Sequence, residues 1–118
     1  MKDCIFCKIV DKEIPAKIYR ETDKILAFED AFKIAPVHVL IIPKEHIESM
    51  NDMQNSHAEV ISEMFLTATE LAKELKIDES GYKLLIRTGS DGGQEVPHVH
   101  LHLIGGAQLS EDIRPVEG

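Results

Sequence analysis

Three histidines at alternate positions make up the most chemically distinctive segment of the chain. Residues 98–103 read His-Val-His-Leu-His-Leu, and side chains at i, i+2 and i+4 of an extended strand point to the same side. We therefore expect His98, His100 and His102 to line one face, with the intervening apolar residues facing a core. A half-exposed strand can carry histidine in a polar position by accident. Half of the six histidines in one register instead indicates a site built on imidazole chemistry.

A glycine-rich loop, Gly-Ser-Asp-Gly-Gly-Gln at residues 89–94, lies directly before these histidines. Glycine lets the backbone turn tightly and brings N–H groups close to a ligand, so the loop is expected to hold phosphate oxygens. An imidazole nitrogen can attack phosphorus to give a phosphoramidate that water then hydrolyses. Neighbouring imidazoles disfavour one another's charged forms, which keeps one neutral for that attack. Asp30 and His38, on or beside upstream strands, are candidates for substrate contacts or for contacts to these histidines.

A second candidate site begins with Cys4 and Cys7, spaced as C-x-x-C. Zinc is tetrahedral and binds thiolates and imidazoles, so two more ligands are needed, and His46 and His98 are candidates. Residues i and i+4 of a strand lie ~13 Å apart, so one ion does not easily collect the whole histidine row. We expect His98 at the metal and the other two at the substrate. A redox C-x-x-C normally follows a strand, which is missing here; two unliganded thiols are the other alternative.

Composition restricts the function classes. The 118 residues form one domain, and 43% hydrophobic content is enough for a compact interior. The net charge of −8 without a basic cluster argues against nucleic-acid binding. No apolar run approaches the ~20 residues that span a bilayer, and the start lacks the apolar stretch of a secretory signal. We expect a cytoplasmic protein, with thiols or metal ligands rather than a disulfide, that holds an anionic substrate with backbone dipoles and imidazoles.

The elements that must position these residues form an α+β fold, a mainly antiparallel sheet with one long helix across a face. The long helix is expected at residues 56–76, capped by Ser56 and Glu59. Its apolar stripe, assigned to the core or a subunit interface, comprises Val60, Ile61, Met64, Phe65, Ala68, Leu71, Ala72 and Leu75. The remaining expected elements are a short helix at 3–10 with Asp3 as N-cap and Ile5, Phe6 and Ile9 as its apolar face, a hairpin of 16–21 and 25–29, a strand at 37–42, a helical turn at 46–50, and strands at 82–88 and over the histidines.

Together these segments resemble the histidine-triad (HIT) family, and its Hint branch in particular. The signature His-x-His-x-His followed by apolar residues is matched by residues 98–104, and the resemblance extends from Cys4 to about Ala107. Other matching segments are 13–17, 28–30, 37–44, 89–94 and 105–106. The resemblance implies a HIT-like fold with a five-stranded, mainly antiparallel sheet, one long helix and a short N-terminal helix. It also implies one HIT domain over 1–118, with a motif-bearing core at 4–107 and a tail at 108–118, and a homodimer formed through the long helix and a strand.

The activity that the resemblance implies is hydrolysis of the P–N bond of purine nucleoside 5′-phosphoramidates through a nucleotidyl-histidine, with no cofactor needed for catalysis. By that analogy His100 attacks phosphorus, His102 contacts the phosphate, His38 orients the catalytic histidine and Asp30 binds the ribose; His98 completes the catalytic histidine set. The base would be walled by Phe6, Ile9, Ile14 and Leu40, and the phosphate bordered by Gly93, Gln94 and Val96. Zinc-binding relatives support Cys4, Cys7, His46 and His98 as ligands.

Three departures from the Hint pattern concern the phosphate and the leaving group. Arg87 stands where well-known Hint proteins carry asparagine, so it could supply a charged phosphate contact. Glu95 replaces a serine beside the leaving group, and its carboxylate would repel a second phosphate. The tail lacks the tryptophan-containing ending of animal Hint proteins. The alternatives are a dinucleoside polyphosphate hydrolase like the Fhit branch, or a dimeric zinc-dependent interaction module without catalysis. The preference for adenine or guanine stays open.

Overall fold

A five-stranded antiparallel sheet carries the whole arrangement in the computed structural model, which describes residues 3–117. Along the sheet the strands follow the order β1-β2-β3-β5-β4, and all four neighbouring pairs are antiparallel. The expected α+β fold, with five strands, one long helix and a short N-terminal helix, is confirmed. The strands are β1 (Ile18–Glu21), β2 (Ile25–Glu29), β3 (Val37–Pro43), β4 (Tyr82–Leu85) and β5 (Leu101–Gly105), and the helices are α1 (Ile5–Val10) and α2 (Ala58–Glu74).

One side of the sheet, which we call the helix-covered face, packs against α2. This helix buries Met64, Ala68, Leu71 and Ala72, whose spacing places them on one stripe. The helix contacts β2, β3 and β5. The apolar residues that the strands contribute to this face alternate along each strand, as a period of two requires: Ile25, Ala27, Val39, Ile41, Leu101 and Leu103.

The opposite side, which we call the histidine face, is covered in part by α1. Phe6 and Ile9 of this short helix pack against the remaining strand positions, Leu26, Phe28, Leu40 and Ile42. In the sheet register Leu40 lies opposite His102, and His38 lies opposite Ile104. The apolar wall and the histidines therefore share one side of the sheet. The expected division of the histidine segment, with Val99, Leu101 and Leu103 turned to the core, is confirmed because all three are buried against α2.

The two predicted helix starts are wrong in detail. Helix α1 begins after Cys4, whose sulfur accepts the N–H of Cys7 at 3.3 Å, so Cys4 rather than Asp3 is the N-cap. Helix α2 begins at Ala58 after a short 3₁₀ turn (Asn55–His57). The Ser56–Glu59 capping box is absent, because Ser56 lies within that turn and Nδ1 of His57 accepts the N–H of Gln54 at 3.0 Å.

Other boundaries of the helices and strands also differ from those predicted from the sequence. Strand β5 begins only at Leu101, so His98 and His100 precede the regular strand, and β4 ends at Leu85 rather than at residue 88. The short turn expected at 46–50 is instead a 3₁₀ turn at Met50–Asp52. Ile5, expected on the apolar face of α1, is exposed, because that helix buries only its opposite side. Within residues 3–117 no helix is long and apolar enough to cross a membrane.

Candidate active site

The ring of His100 is held in one tautomer by the backbone. Its Nδ1–H donates to the carbonyl oxygen of His98 at 2.7 Å, so in the neutral ring the lone pair lies on Nε2. The ring packs edge-on against Phe6, with centroids 5.0 Å apart, and it is buried. This arrangement presents one unprotonated nitrogen from a side chain that has little freedom to rotate, which is what nucleophilic attack requires.

Three further polar side chains lie beside His100 and form a hydrogen-bonded chain. His102 is the nearest, with ring centroids 4.9 Å apart. Nδ1 of His102 lies 2.9 Å from Nε2 of His38, which in turn is 3.3 Å from Oδ2 of Asp30. The other carboxylate oxygen of Asp30 accepts the N–H of Phe32 at 2.8 Å. Strands β3 and β5 and the turn after β2 therefore bring together the residues that the sequence had singled out separately.

Burial keeps these imidazoles neutral. Loss of hydration disfavours the charged form, and this is the main reason that the pKa of His102 falls to about 3, with the neighbouring His100 and Arg87 lowering it further. Burial likewise lowers the pKa values of His100 and His38, and the guanidinium of Arg87 lowers both further. All three rings are uncharged at neutral pH, so Nε2 of His100 is available to attack.

The glycine loop differs from the expected phosphate cradle. The N–H groups of Gly89, Gly93 and Gln94 already donate within the loop, at 3.0 Å each. The side-chain amide of Gln94 donates to the carbonyls of Glu48 and Val96, so it holds the loop in place. Among the N–H donors expected to bind phosphate, these three are therefore already satisfied.

Arg87 and Glu95, which were also predicted to contact substrate, lie close to the glycine loop. Arg87 follows β4 and places Nη1 3.3 Å from Nε2 of His102. Its side chain passes beside Gly93, where a Cβ would meet Cδ of Arg87 at 3.3 Å. Gly93 has a φ of +82°, so glycine is suited to that position. Glu95 is exposed at the outer side of the loop.

The residues expected to wall a base form one apolar cluster on the histidine face. Phe6 stacks edge-on against Phe28 with centroids 5.6 Å apart. The structure groups all four expected members, Phe6, Ile9, Ile14 and Leu40, with Phe28, which sequence reasoning did not assign to the site. Val96, which was expected to border the phosphate, packs against the same cluster. A planar aromatic ligand placed against this cluster would lie beside the ring of His100.

Cys4, Cys7, His46 and His98 form a second, separate cluster, with all four ligand atoms within 4.8 Å of one another. Nδ1 of His98 lies 3.3 Å from the sulfur of Cys4 and 3.6 Å from that of Cys7, and Nδ1 of His46 lies 3.3 Å from the sulfur of Cys7. Zinc bond lengths in a tetrahedral site put N and S ligands about 3.5 Å apart. The donor set and its spacing therefore fit zinc.

The tautomer of His98 also fits a metal ligand. Its Nε2–H donates to the carbonyl of Pro43 at 2.8 Å, which leaves Nδ1 unprotonated and directed to the cysteines, as in histidines that bind zinc. The side chain is fully buried, and burial lowers its pKa to about 4. Both ring nitrogens of His98 are thus engaged, Nε2 by the carbonyl of Pro43 and Nδ1 by the sulfurs of Cys4 and Cys7. Only the carbonyl of His98 reaches His100, so the geometry favours its metal role over direct catalysis.

Asp30, His38 and His102 also bring three potential metal ligands together. A cation there would bind Nε2 of His38, whose proton would then have to move to Nδ1. The N–H of Ile34 already points at that Nδ1 from 3.2 Å, so Nε2 carries the proton instead. The hydrogen-bond pattern therefore favours a proton relay over a second metal site.

Several groups that orient the site have no signal in the sequence. The backbone N–H of Ile34 and the carbonyls of Pro43 and His98 decide which nitrogen of each histidine carries the proton. Any residue type supplies such groups, so their positions follow only from the folded chain. Phe28 is different, because its place in a strand with an aromatic side chain could have marked it as part of the apolar wall.

Comparisons with known proteins all match this chain to one protein family. The family model described as "HIT domain" matches residues 11–109. The chain is 41% identical over 108 residues to the purine nucleoside phosphoramidase of Escherichia coli, covering 92% of this chain and 91% of that protein. It is 44% identical over 105 residues to an uncharacterized HIT-like protein of Buchnera aphidicola, covering 89% and 92%. The crystal structure of a HIT family hydrolase from Legionella pneumophila matches with a TM-score of 0.90 and 44% identity, covering 93% and 98% of the two chains.

Proposed function

Because this chain belongs to the HIT domain family, we propose that it is a hydrolase that cleaves the P–N bond of purine nucleoside 5′-phosphoramidates. The observation that carries the proposal is the tautomer of His100, whose Nδ1–H is held by a backbone carbonyl, which leaves the lone pair on Nε2. The curated relative named purine nucleoside phosphoramidase supports this substrate class.

The reaction that we propose has two steps on one nitrogen. Nε2 of His100 attacks the α-phosphorus, a P–N bond forms to the ring, and the bond to the leaving amine breaks as the amine takes up a proton. Water then attacks the same phosphorus and gives up a proton, which balances the proton taken up by the amine, and the bond to His100 breaks to release the nucleoside monophosphate. His102 and His38 extend from this centre to Asp30, so they are suited to contact the phosphate and to hold the rings in register.

Nucleotide recognition would use both polar and apolar groups of the histidine face. The carboxylate of Asp30 is half-buried and has acceptor capacity beyond its contacts to Phe32 and His38, which suits ribose hydroxyls. The apolar cluster around Phe6 would hold the purine. Gly93, Gln94, Glu95 and Val96 would border the phosphate and the leaving group.

A covalent adduct provides the decisive test. Brief exposure to adenosine 5′-phosphoramidate, followed by intact-protein mass spectrometry, should show a mass gain of one AMP that peptide mapping places on His100. The variant His100→Ala should gain no mass. Steady turnover without any trapped adduct, or an adduct on another histidine, would contradict the assigned nucleophile.

One observation favours a second candidate, hydrolysis of dinucleoside polyphosphates. Arg87 places a guanidinium beside His102, and an added cation suits a substrate with several phosphates. Glu95 has the opposite effect, because its carboxylate repels a second phosphate. Rates on an adenosine phosphoramidate and on diadenosine tri- and tetraphosphate decide between them, and a clear preference for the polyphosphates would replace our proposal. Nucleotide binding without turnover of either would indicate an interaction module.

We also propose that Cys4, Cys7, His46 and His98 bind a structural zinc ion. The ion would join the start of α1 to the segments before β5 and after β3, and it takes no part in the chemical steps. Burial and the neighbouring Cys4 raise the pKa of the Cys7 thiol to about 11, so a bound cation is what would stabilise the thiolate. Elemental analysis should find about one zinc per chain, and cobalt substitution should produce thiolate charge-transfer bands.

A homodimer through α2 and β4 is the assembly that we propose. Strand β4 lies at the edge of the sheet, where unpaired backbone groups favour pairing with another strand, and α2 leaves Leu66 62% exposed. Light scattering should show a dimer that Leu66→Glu weakens. The matched control Ile113→Glu, at a tail residue that is 89% exposed, should leave the mass unchanged. A monomeric wild-type chain would refute this assembly.

Two broader assignments accompany the proposal. We place the protein in the cytoplasm, which cell fractionation tests. We also treat the chain as a single HIT domain with a core at 4–107 and a tail at 108–118, and limited proteolysis would show whether cleavage is confined to the tail.

A further inference from the structure

The positions of two imidazole protons follow from hydrogen bonds that begin at a backbone N–H. The N–H of Ile34 donates to Nδ1 of His38 at 3.2 Å, so the proton of neutral His38 is on Nε2. That Nε2 lies 2.9 Å from Nδ1 of His102, which must accept. The proton of neutral His102 is therefore on its own Nε2. The assignment requires only that each imidazole carries one proton.

Arg87 faces that same nitrogen. Its Nη1 lies 3.3 Å from Nε2 of His102, and a guanidinium has donors but no acceptor. Two N–H donors cannot bond to each other, so this close approach is not a hydrogen bond between them. Both donors are instead in position to share a third atom, an acceptor that carries negative charge.

The guanidinium of Arg87 has no carboxylate within 4.0 Å among residues 3–117. The other two arginines of the chain are paired, Arg20 with Glu70 and Glu74, and Arg114 with Asp112. Arg87 is also partly buried, so it is the arginine for which a missing counter-ion is most unfavourable.

The neighbouring glycine loop confines the side chain of Arg87 and leaves few other groups to bind an anion. Its stem passes beside Gly93, where even a Cβ would approach Cδ of Arg87 to 3.3 Å. The N–H groups of Gly89, Gly93 and Gln94, which could have bound an anion, donate inside the loop instead. The guanidinium of Arg87 is always protonated, so Arg87 supplies positive charge in this part of the site.

We propose that Arg87 and the Nε2–H of His102 form a two-donor clamp on one non-bridging oxygen of the α-phosphate, and that Arg87 determines selectivity for the anionic phosphoryl group. This inference rests on the proposed function for the identity of the ligand as a nucleotide. The clamp orients phosphorus toward Nε2 of His100, because His102 and His100 are neighbours on the same side of the chain. Within the clamp, the guanidinium of Arg87 supplies the positive charge that a protonated imidazole would otherwise provide.

Paired binding measurements isolate the phosphate from the rest of the nucleotide. Calorimetry gives dissociation constants for AMP and for adenosine, and their ratio reports what the phosphate contributes. Arg87→Asn removes the charge and the fork, and Arg87→Met keeps an unbranched stem beside Gly93 while removing only the charged head. The matched control, Arg114→Asn, removes the same charge from an exposed tail residue.

We expect the preference for AMP over adenosine to fall about 10- to 100-fold in both Arg87 variants, as for loss of hydrogen bonds to a charged group. Adenosine affinity should be unchanged, and Arg114→Asn should behave as wild type. An unchanged preference in either folded Arg87 variant overturns the clamp, as does a wild-type chain that binds AMP no better than adenosine. A reduced preference in a protein that cleaves no phosphoramidate would retain the clamp and overturn the proposed function instead.

Discussion

The two faces of the sheet are made by the same strands and yet have opposite chemistry. On the helix-covered face, Val39 and Ile41 of β3 and Leu101 and Leu103 of β5 are aliphatic and almost completely buried. On the histidine face, the residues between them include His38 and His102, which are buried but polar. A strand that shows alternate residues to opposite sides can therefore support a core with one set and a reaction with the other.

The faces also differ in how they are stabilised. The helix-covered face depends on close packing, where deleting a large side chain leaves a cavity. The histidine face depends on directional hydrogen bonds, and among residues 3–117 no buried side-chain nitrogen or oxygen lacks a partner. Substitution of His100 should therefore change mainly turnover, and substitution of an aliphatic residue of the helix-covered face should change mainly stability.

The largest expected effect is on the histidine face. His100→Ala should reduce kcat/KM for an adenosine phosphoramidate by at least about 10³-fold, since it removes the proposed nucleophile. Its melting temperature and nucleotide affinity should stay close to those of the wild type. Steady-state kinetics and calorimetry measure both quantities, and turnover within tenfold of wild type would break the comparison between the faces.

The next effect is its counterpart on the helix-covered face. Leu103→Ala should reduce the free energy of unfolding by about 2–5 kcal/mol, because it opens a cavity against α2. The turnover number of the folded protein should change little. Denaturant titration and active-site-normalised kinetics test this, and a variant as stable as wild type but catalytically dead would show that the two faces are not separable.

Metal removal tests the end of the histidine face next to α1. A chelator should lower stability by about 2.7 kcal/mol if free zinc is otherwise near 100 times its dissociation constant. Cys4→Ser should be insensitive to the chelator, while the remote Ser56→Ala should respond like wild type. Thermal melts with and without added zinc measure the effect. Identical melts under both conditions would leave the cysteines as ordinary thiols.

The last expected effect is a pH dependence of stability that arises on the histidine face. His102 has a pKa of about 3 in the folded protein and near 6.5 when unfolded, so the unfolded chain binds more protons between these values. Stability is therefore complete above about pH 6.5 and decreases as the pH falls toward 3. The ion-paired Glu21, with its pKa lowered to about 2, adds to this loss only below about pH 4.5.

The variant His102→Gln should make this dependence less steep between pH 6.5 and 4.5, where His98, with its pKa lowered to about 4, still contributes. Leu103→Ala should lower the whole curve without changing its slope. Urea titrations across the pH range give both curves. A His102→Gln slope equal to that of wild type would assign the acid sensitivity to another group.

Much of this comparison was accessible from the alternation of residue types. The spacing of Val99, Leu101 and Leu103 predicted the core face, and the distance along a strand predicted that His98 and His102 would serve different sites. The helix caps were less accessible, since the Ser56 capping box competed with a local alternative in which His57 bonds Gln54. The shape of the surface is a weaker guide to the candidate site than the residue pattern. A hollow of about 210 Å³ lies away from the histidine row, beside Lys24, Lys44 and His57.

Residue types and their spacing were enough to predict which side chains are candidates for chemistry and which side of the sheet they occupy, because the period of a strand is set by covalent geometry. Which nitrogen of each imidazole carries its proton was decided only by the tertiary structure. That choice depends on backbone groups such as the carbonyl of Pro43 and the N–H of Ile34, which every residue type offers alike. Long-range packing brings them into place, and with the carbonyl of His98 it leaves the lone pair of His100 on Nε2.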